Sequence, residues 1–166
     1  MSARPPKDAA VALRSLDRRF RGLFAGLGED ESPDDLAHRV GPDGMAALDH
    51  VAGAIRTTSL LRRALEQVLT EDDAVLHPAV ADATHRQWES DPTATVDDLV
   101  AELASEAELL AVRVEGVQAD DWARRARVVG QDADVTALAL VWDAVDAAVS
   151  HLKGAERTLV AMRGRG

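Results

Sequence analysis

Four stretches of this chain repeat apolar residues at steps of three and four over several helical turns, and this period restricts the fold more than any other feature. In the first, Leu13, Leu16, Phe20, Leu23 and Leu27 recur between Asp8 and Gly28, with arginines on the other face. The second runs from about Met45 to Leu69 on Leu48, Val51, Ile55, Leu61, Leu65 and Val68, a helix of roughly 37 Å at 1.5 Å per residue. The third opens at Thr95, an N-cap residue followed by Asp97 and Asp98 in the first turn, and carries Val96, Leu99, Leu103, Leu110, Val114 and Val117. The fourth starts near Asp134 and carries Leu138, Val141, Val145, Val149, Leu152 and Leu159. No segment alternates with period two for long enough to make a sheet, and a sheet of three or more strands would overturn the reading. Helices near 8–27, 45–69, 95–117 and 134–162 predict an all-α, four-helix bundle.

The connections are polar and broken by proline and glycine. Gly28 to Gly44 gathers Glu29, Asp30, Glu31, Ser32, Pro33, Asp34 and Asp35, with one turn expected near Leu36-Ala37-His38. Thr70 to Ala94 is long enough to cross the length of a bundle, and Pro78 to Glu89 reads as a short helix with Pro78 in its first turn. A loop containing Trp122 and Gly130 leads into the last helix. With 166 residues, 46% of them apolar, the chain (1–166) is expected to be one domain with one core.

Composition narrows the chemistry. Cysteine is absent, which removes disulfides, thiolate zinc sites, iron–sulfur clusters and cysteine nucleophiles. A net charge of −10 repels phosphate backbones and anionic lipid, so neither nucleic acid nor membrane is an expected partner. No apolar run is long enough to span a bilayer, and Met1-Ser2-Ala3-Arg4-Pro5-Pro6-Lys7 is not followed by a hydrophobic segment, which predicts a cytoplasmic protein. A homodimer is compatible with all of this.

Two of the five histidines sit in nearly the same local sequence. Ala46-Ala47-Leu48-Asp49-His50-Val51-Ala52-Gly53-Ala54-Ile55-Arg56-Thr57 matches Ala147-Ala148-Val149-Ser150-His151-Leu152-Lys153-Gly154-Ala155-Glu156-Arg157-Thr158 at seven of twelve positions, at a constant offset of 101 residues. On a helix each imidazole then shares its face with Ala, Ala, Gly and Ala, at three and four residues to either side. A glycine inside a helix costs about 1 kcal/mol relative to alanine, so two of them, each close after a histidine, imply that something approaches the backbone there. The geometry predicts that His50 and His151 face each other across a cleft lined by Ala46, Ala47, Gly53, Ala54, Ala147, Ala148, Gly154 and Ala155, with either free volume beside the rings or tight helix contact, in which case each ring should hydrogen-bond to a carboxylate, to water or to the other ring. That requires the second and fourth helices to be antiparallel. Rings more than about 10 Å apart, beyond the reach of one bridging ion and its waters, would make the repeat a coincidence of an alanine-rich chain. His38, His77 and His85 lie in connections and read as solvated.

Asp43-Gly44-Met45-Ala46-Ala47-Leu48-Asp49-His50-Val51 opening the second helix, Leu69-Thr70-Glu71-Asp72-Asp73 after it, and Ala144-Val145-Asp146-Ala147-Ala148-Val149-Ser150-His151-Leu152 in the last helix resemble the DinB-like superfamily over residues 8 to 160. The resemblance implies a four-helix bundle with a long crossover connection. It also implies kinship with mycothiol-dependent maleylpyruvate isomerase and thiol S-transferases, many holding a divalent metal by one histidine early in the second helix and two ligands four apart on the last. His50 falls at the first of these positions. If His151 matches the final ligand, its partner is Ala147, which cannot bind metal; moved by one, the pair is Asp146 and Ser150. Either way one strong ligand is missing. His50, His151 and Asp146 are the candidate metal ligands, with Asp49 and Glu156 as further candidates for the third place, although Asp146 and His151 are about 140° apart around the helix.

Two functions remain open at this point. One is a transferase or isomerase in which Zn²⁺ or Ni²⁺ lowers the pKa of a bound low-molecular-weight thiol or water, with Arg56 or Arg157 neutralising an anionic substrate. The other is a non-catalytic bundle that has lost the metal and binds a small molecule or another protein. The absent third ligand favours the second, and no stoichiometric transition metal is expected.

Overall fold

The computed structural model describes residues 4–27, 31–86 and 89–164. Gly28, Glu29 and Asp30, expected to begin the first connection, lie outside the described residues, as does part of the expected helix from Pro78 to Glu89. Five α-helices form: α1 (Pro6–Phe24), α2 (Pro33–Ala37), α3 (Ala47–Thr70), α4 (Val96–Glu115) and α5 (Ala137–Arg163). The four long ones make the expected bundle.

Local chemistry sets their ends. Pro6 occupies the first turn of α1, where the missing N–H costs nothing. The helix stops at Phe24, three residues short of the expected end; Phe24 rather than Leu23 completes its buried stripe, and Leu27 is buried in the turn beyond. Asp49 Oδ2 accepts from Ala46 N at 2.8 Å at the start of α3. Thr95 caps α4 as expected, accepting from Asp98 N at 3.1 Å, while Asp34 of α2 accepts from Val96 N at 2.8 Å. The cap of α5 is Thr136, accepting from Ala139 N at 3.1 Å, so this helix begins slightly later than Asp134.

Ion pairs and hydrogen bonds give the helix directions. Residues 62 and 66 of α3 meet 106 and 113 of α4, so these helices are parallel. Arg14 of α1 meets Glu108 and Glu115 of α4, and Arg21, further along, comes near Asp97, so α1 and α4 are antiparallel. Arg4, just before α1, meets Asp146, and Gly26, just after it, meets Arg163, so α1 runs with α5. α3 packs on α4 and α5, and α1 packs on the same two, so α1 and α3 stand diagonally. Because α3 and α4 are parallel, the chain from 71 to 95 must travel the full length of the bundle, as its length predicts.

That crossover holds two short 3₁₀ turns, Pro78–Val80 and Ala83–His85, in place of the expected helix. The absence of a sheet is also corrected. β1 (Val75–Leu76) pairs parallel with β2 (Arg125–Val128), which pairs antiparallel with β3 (Val135–Thr136), in the order β1-β2-β3. This is a three-stranded sheet, the outcome named above as contrary. It is a patch of short strands at the end of the bundle where α3 stops and α5 starts, and the helical core is unaffected by it. Gly130 turns the hairpin at φ +80°, and Arg124 donates to the carbonyls of Val68 (2.8 Å) and Glu71 (3.1 Å), closing the C-terminus of α3. No helix among the described residues is long and apolar enough to cross a membrane.

Candidate functional site: a buried histidine pair between two helices

α3 and α5 form the most extensive helix contact in the molecule. Each histidine rests on the glycine of the opposite motif. A Cβ added to Gly154 would lie 2.4 Å from His50 Cε1, and one added to Gly53 would lie 2.5 Å from His151 Cε1. As numbering rises from 50 to 53 on α3, the partner falls from 154 to 151 on α5, which establishes the expected antiparallel register. The same register sets Thr57 opposite Ala147.

The rings meet. Their centroids are 5.8 Å apart with planes inclined at 56°, and the two Nδ1 atoms are 3.5 Å apart, the outer limit of a hydrogen bond. Both residues are only 6% exposed. The eight small residues expected to line a cleft are buried, apart from half-buried Ala147. The space that the two glycines leave is filled by the imidazoles themselves, so of the two expected outcomes the structure has tight ring-on-backbone packing with the rings against each other. Among the described residues, His50 Nε2, Thr57 Oγ1, Thr58 Oγ1 and Thr158 Oγ1 are buried without a hydrogen-bond partner.

The pair is electrically neutral near pH 7. Burial lowers the pKa of His151 to about 4, with His50 and Arg86 adding to the shift. Burial also lowers that of His50; Asp43 opposes the shift, Arg157 adds to it and Asp49 opposes it. Asp43 Oδ2 is 3.4 Å from His50 Nε2, close enough to act through its charge but not aligned as a hydrogen bond. Its field favours the proton on Nε2, and with the proton there His50 Nδ1 is the acceptor side of the Nδ1–Nδ1 contact. Asp43 is the site residue that sequence reasoning missed. Its position comes from the turn Gly41–Ala46, in which Gly44 takes φ +81°, Gly41 N donates to Met45 O at 2.9 Å and Asp43 Oδ1 accepts from Met45 N at 3.1 Å.

The other candidates are placed elsewhere. Asp146 is on the surface, held by Arg4 at 2.9 and 2.6 Å, and does not join the histidines. Asp49 spends its second oxygen, Oδ1, on Ser90 N (2.9 Å) and Ser90 Oγ (2.8 Å), and Glu156 is exposed rather than on the apolar stripe. Arg56 and Arg157 are exposed on α3 and α5. Among the loop histidines, His38 is not solvated: it is half-buried with Nε2 2.8 Å from Ala94 O. His77 is exposed and caps its own turn through Nδ1, 3.1 Å from Ala79 N, and the side chain of His85 lies outside the described residues.

No family model and no curated protein matches the chain. Among solved structures it is similar to YfiT from Bacillus subtilis, described as "a probable metal-dependent hydrolase with an unusual four-helix bundle topology", with a TM-score of 0.71 at 13% identity over 95% of this chain and 89% of that one. The likeness shows a shared four-helix-bundle fold.

The donor set answers whether a metal of the kind that resemblance implies fits here. Two bonds of about 2.0–2.1 Å at a tetrahedral angle hold their nitrogens about 3.4 Å apart, so the Nδ1 spacing of 3.5 Å suits two ligands. A third is missing. Among the described residues no group of three or more His, Asp or Glu gathers, and Asp43 meets His50 at Nε2, not at the Nδ1 that faces His151. The described residues do not fit a tightly held transition metal.

Proposed function

We propose that this chain is a small-molecule-binding bundle of DinB-like fold that keeps the two imidazoles of an interhelical site without the third donor. The observation that supports this reading is the neutral, buried His50–His151 pair, in which His50 Nε2 makes no close hydrogen bond among the described residues and has only the Asp43 carboxylate at 3.4 Å. An unpaired polar nitrogen in such a place costs about 1–3 kcal/mol, a cost that a ligand or an ordered water reaching the ring would remove. Neutral imidazoles offer both donor and acceptor, so they suit recognition of a polar group.

A second reading is a transferase or isomerase using a divalent metal and a low-molecular-weight thiol. It draws on the Nδ1 spacing and on the metal dependence ascribed to YfiT. Elemental analysis of the full chain after dialysis against Zn²⁺ or Ni²⁺ and then metal-free buffer separates the two. We expect well under one metal per chain. One zinc or nickel per chain, lost in both His50→Ala and His151→Ala, would reject the binding-only reading, and Asp43 would then join Asp49 in the search for a third ligand.

A further inference from the structure

The small sheet carries a cleft that the histidine pair does not account for. His50 is near the start of α3 and the sheet follows its end, so roughly 30 Å of helix lies between the two places. The cleft, of about 210 Å³, is lined by Asp73, Ala74, Arg125, Ala126, Arg127 and Asp134. β2 is the central strand and alternates exposed and buried residues, so Arg125 and Arg127 share its outer face while Ala126 and Val128 pack inward. Their places on one strand set the bases of the two side chains about 7 Å apart. Both neighbouring strands hold them there: Val75 pairs with Arg127, Arg127 N donates to Ala74 O at 3.0 Å, and Thr136 pairs with Arg125. Asp73 leads into β1 and Asp134 into β3, so a carboxylate flanks the arginines on each side.

These charges are not spent on one another. The neighbouring Arg124 pairs with Asp72 and closes the end of α3. Among the described residues, by contrast, Arg125, Arg127, Asp73 and Asp134 make no ion pair and no side-chain hydrogen bond. Two cations and two anions that face one small cleft without closing into pairs discriminate by charge. A lone anion meets the two aspartates, and a lone cation meets the two arginines. A molecule with a carboxylate at one end and an ammonium at the other satisfies both, the first in a guanidinium fork and the second on an aspartate. The opposed charges sit on adjacent strands, about 4.8 Å apart, and are also staggered along them. The ends of an extended dipeptide, about 7 Å apart, match that separation better than those of a single amino acid.

We propose that this cleft binds a short zwitterionic peptide, with Arg125 and Arg127 taking its carboxylate and the flanking aspartates its ammonium. The site is separate from the histidine pair, so this inference and the reading of that pair can fail independently.

The test is titration of the full chain at neutral pH with three probes, read from backbone amide resonances: alanylalanine, its N-acetyl form, which lacks the ammonium, and its amide, which lacks the carboxylate. Alanylalanine is expected to shift Arg125, Ala126, Arg127 and Asp134 saturably, to leave His50 and His151 in place, and to bind at least fivefold tighter than either blocked form. Arg125→Gln and Arg127→Gln should each weaken it at least fivefold. Asp73→Asn should do likewise, since asparagine tolerates the φ of +57° at that position. Arg18→Gln, at an exposed arginine of α1 outside the cleft, should bind as wild type does. Helix resonances should be unchanged in all four variants, which separates loss of the ligand from loss of the fold. Equal binding of either blocked form would overturn the ligand class. Equal weakening in Arg18→Gln would overturn the site, and an absence of saturable shifts would overturn the inference outright.

Discussion

Replacing Gly154 with alanine sets two well-understood effects against each other. In an exposed helix the change stabilises by about 1 kcal/mol, since glycine loses more backbone freedom on folding. Here the new Cβ would stand 2.4, 2.6 and 2.9 Å from Cε1, Nδ1 and Nε2 of His50, far inside van der Waals contact. The ring cannot easily retreat, because it is 6% exposed and His151 occupies its other side. Overpacking of this kind costs about 1–3 kcal/mol, so Gly154→Ala should be neutral to about 2 kcal/mol destabilising in urea unfolding. With the ring removed, the same change should recover its ordinary effect: in a His50→Ala background it should stabilise by about 1 kcal/mol. The coupling energy of this double-mutant cycle is therefore on the order of 1–3 kcal/mol. Gly53→Ala with His151→Ala should behave alike, the Cβ lying 2.5 Å from His151 Cε1. If Gly154→Ala stabilises equally in both backgrounds, the ring does not rest on that glycine and the site as described is wrong.

Stability should also depend on pH through His151, whose folded pKa of about 4 is below its unfolded value. The unfolded chain then binds the extra proton between about pH 6.5 and 4, so stability is intact above that window and falls as pH drops through it, by up to about 3 kcal/mol; urea midpoints of wild type and His151→Gln should converge in that range. Asp43→Asn removes a charge that raises the His50 pKa, and NMR titration should show that pKa falling further while His151 changes less. Asp146→Ala, lost from an exposed pair with Arg4, should shift stability by no more than about 1 kcal/mol and leave metal uptake unchanged. Ala147→His, by contrast, places a third imidazole one turn from His151, and elemental analysis should find zinc retained there and not in wild type.

The four long helices were legible because each repeats its apolar period over several turns, enough to outweigh local ambiguity at the ends. The sheet was not, because its longest strand, Arg125–Val128, alternates exposed and buried residues for only four positions, too few to distinguish from an ordinary loop. The histidine pair was legible for a different reason: two copies of one local pattern, each with a glycine close after the histidine, are hard to reconcile with helices that have no need of close approach. What that pattern could not reveal is that each glycine makes room for the opposite ring and not for a ligand. Asp146 was a poor choice on geometry already stated, since five residues along a helix turn about 140° away, and its partner proved to be Arg4.

Asp43 and Arg86 were illegible for a common physical reason. Neither belongs to a periodic element, and each is aimed by backbone conformation: the left-handed Gly44 and the Gly41–Met45 hydrogen bond for Asp43, two carbonyls of a 3₁₀ turn for Arg86. Sequence period identifies what a helix buries, whereas the charges brought to that buried surface come from connections whose course depends on tertiary contacts. In this chain those charges differ in sign. Asp43 acts on the His50 end of the pair and Arg86 on the His151 end, so the neutral imidazoles lie along a field running between a carboxylate and a guanidinium.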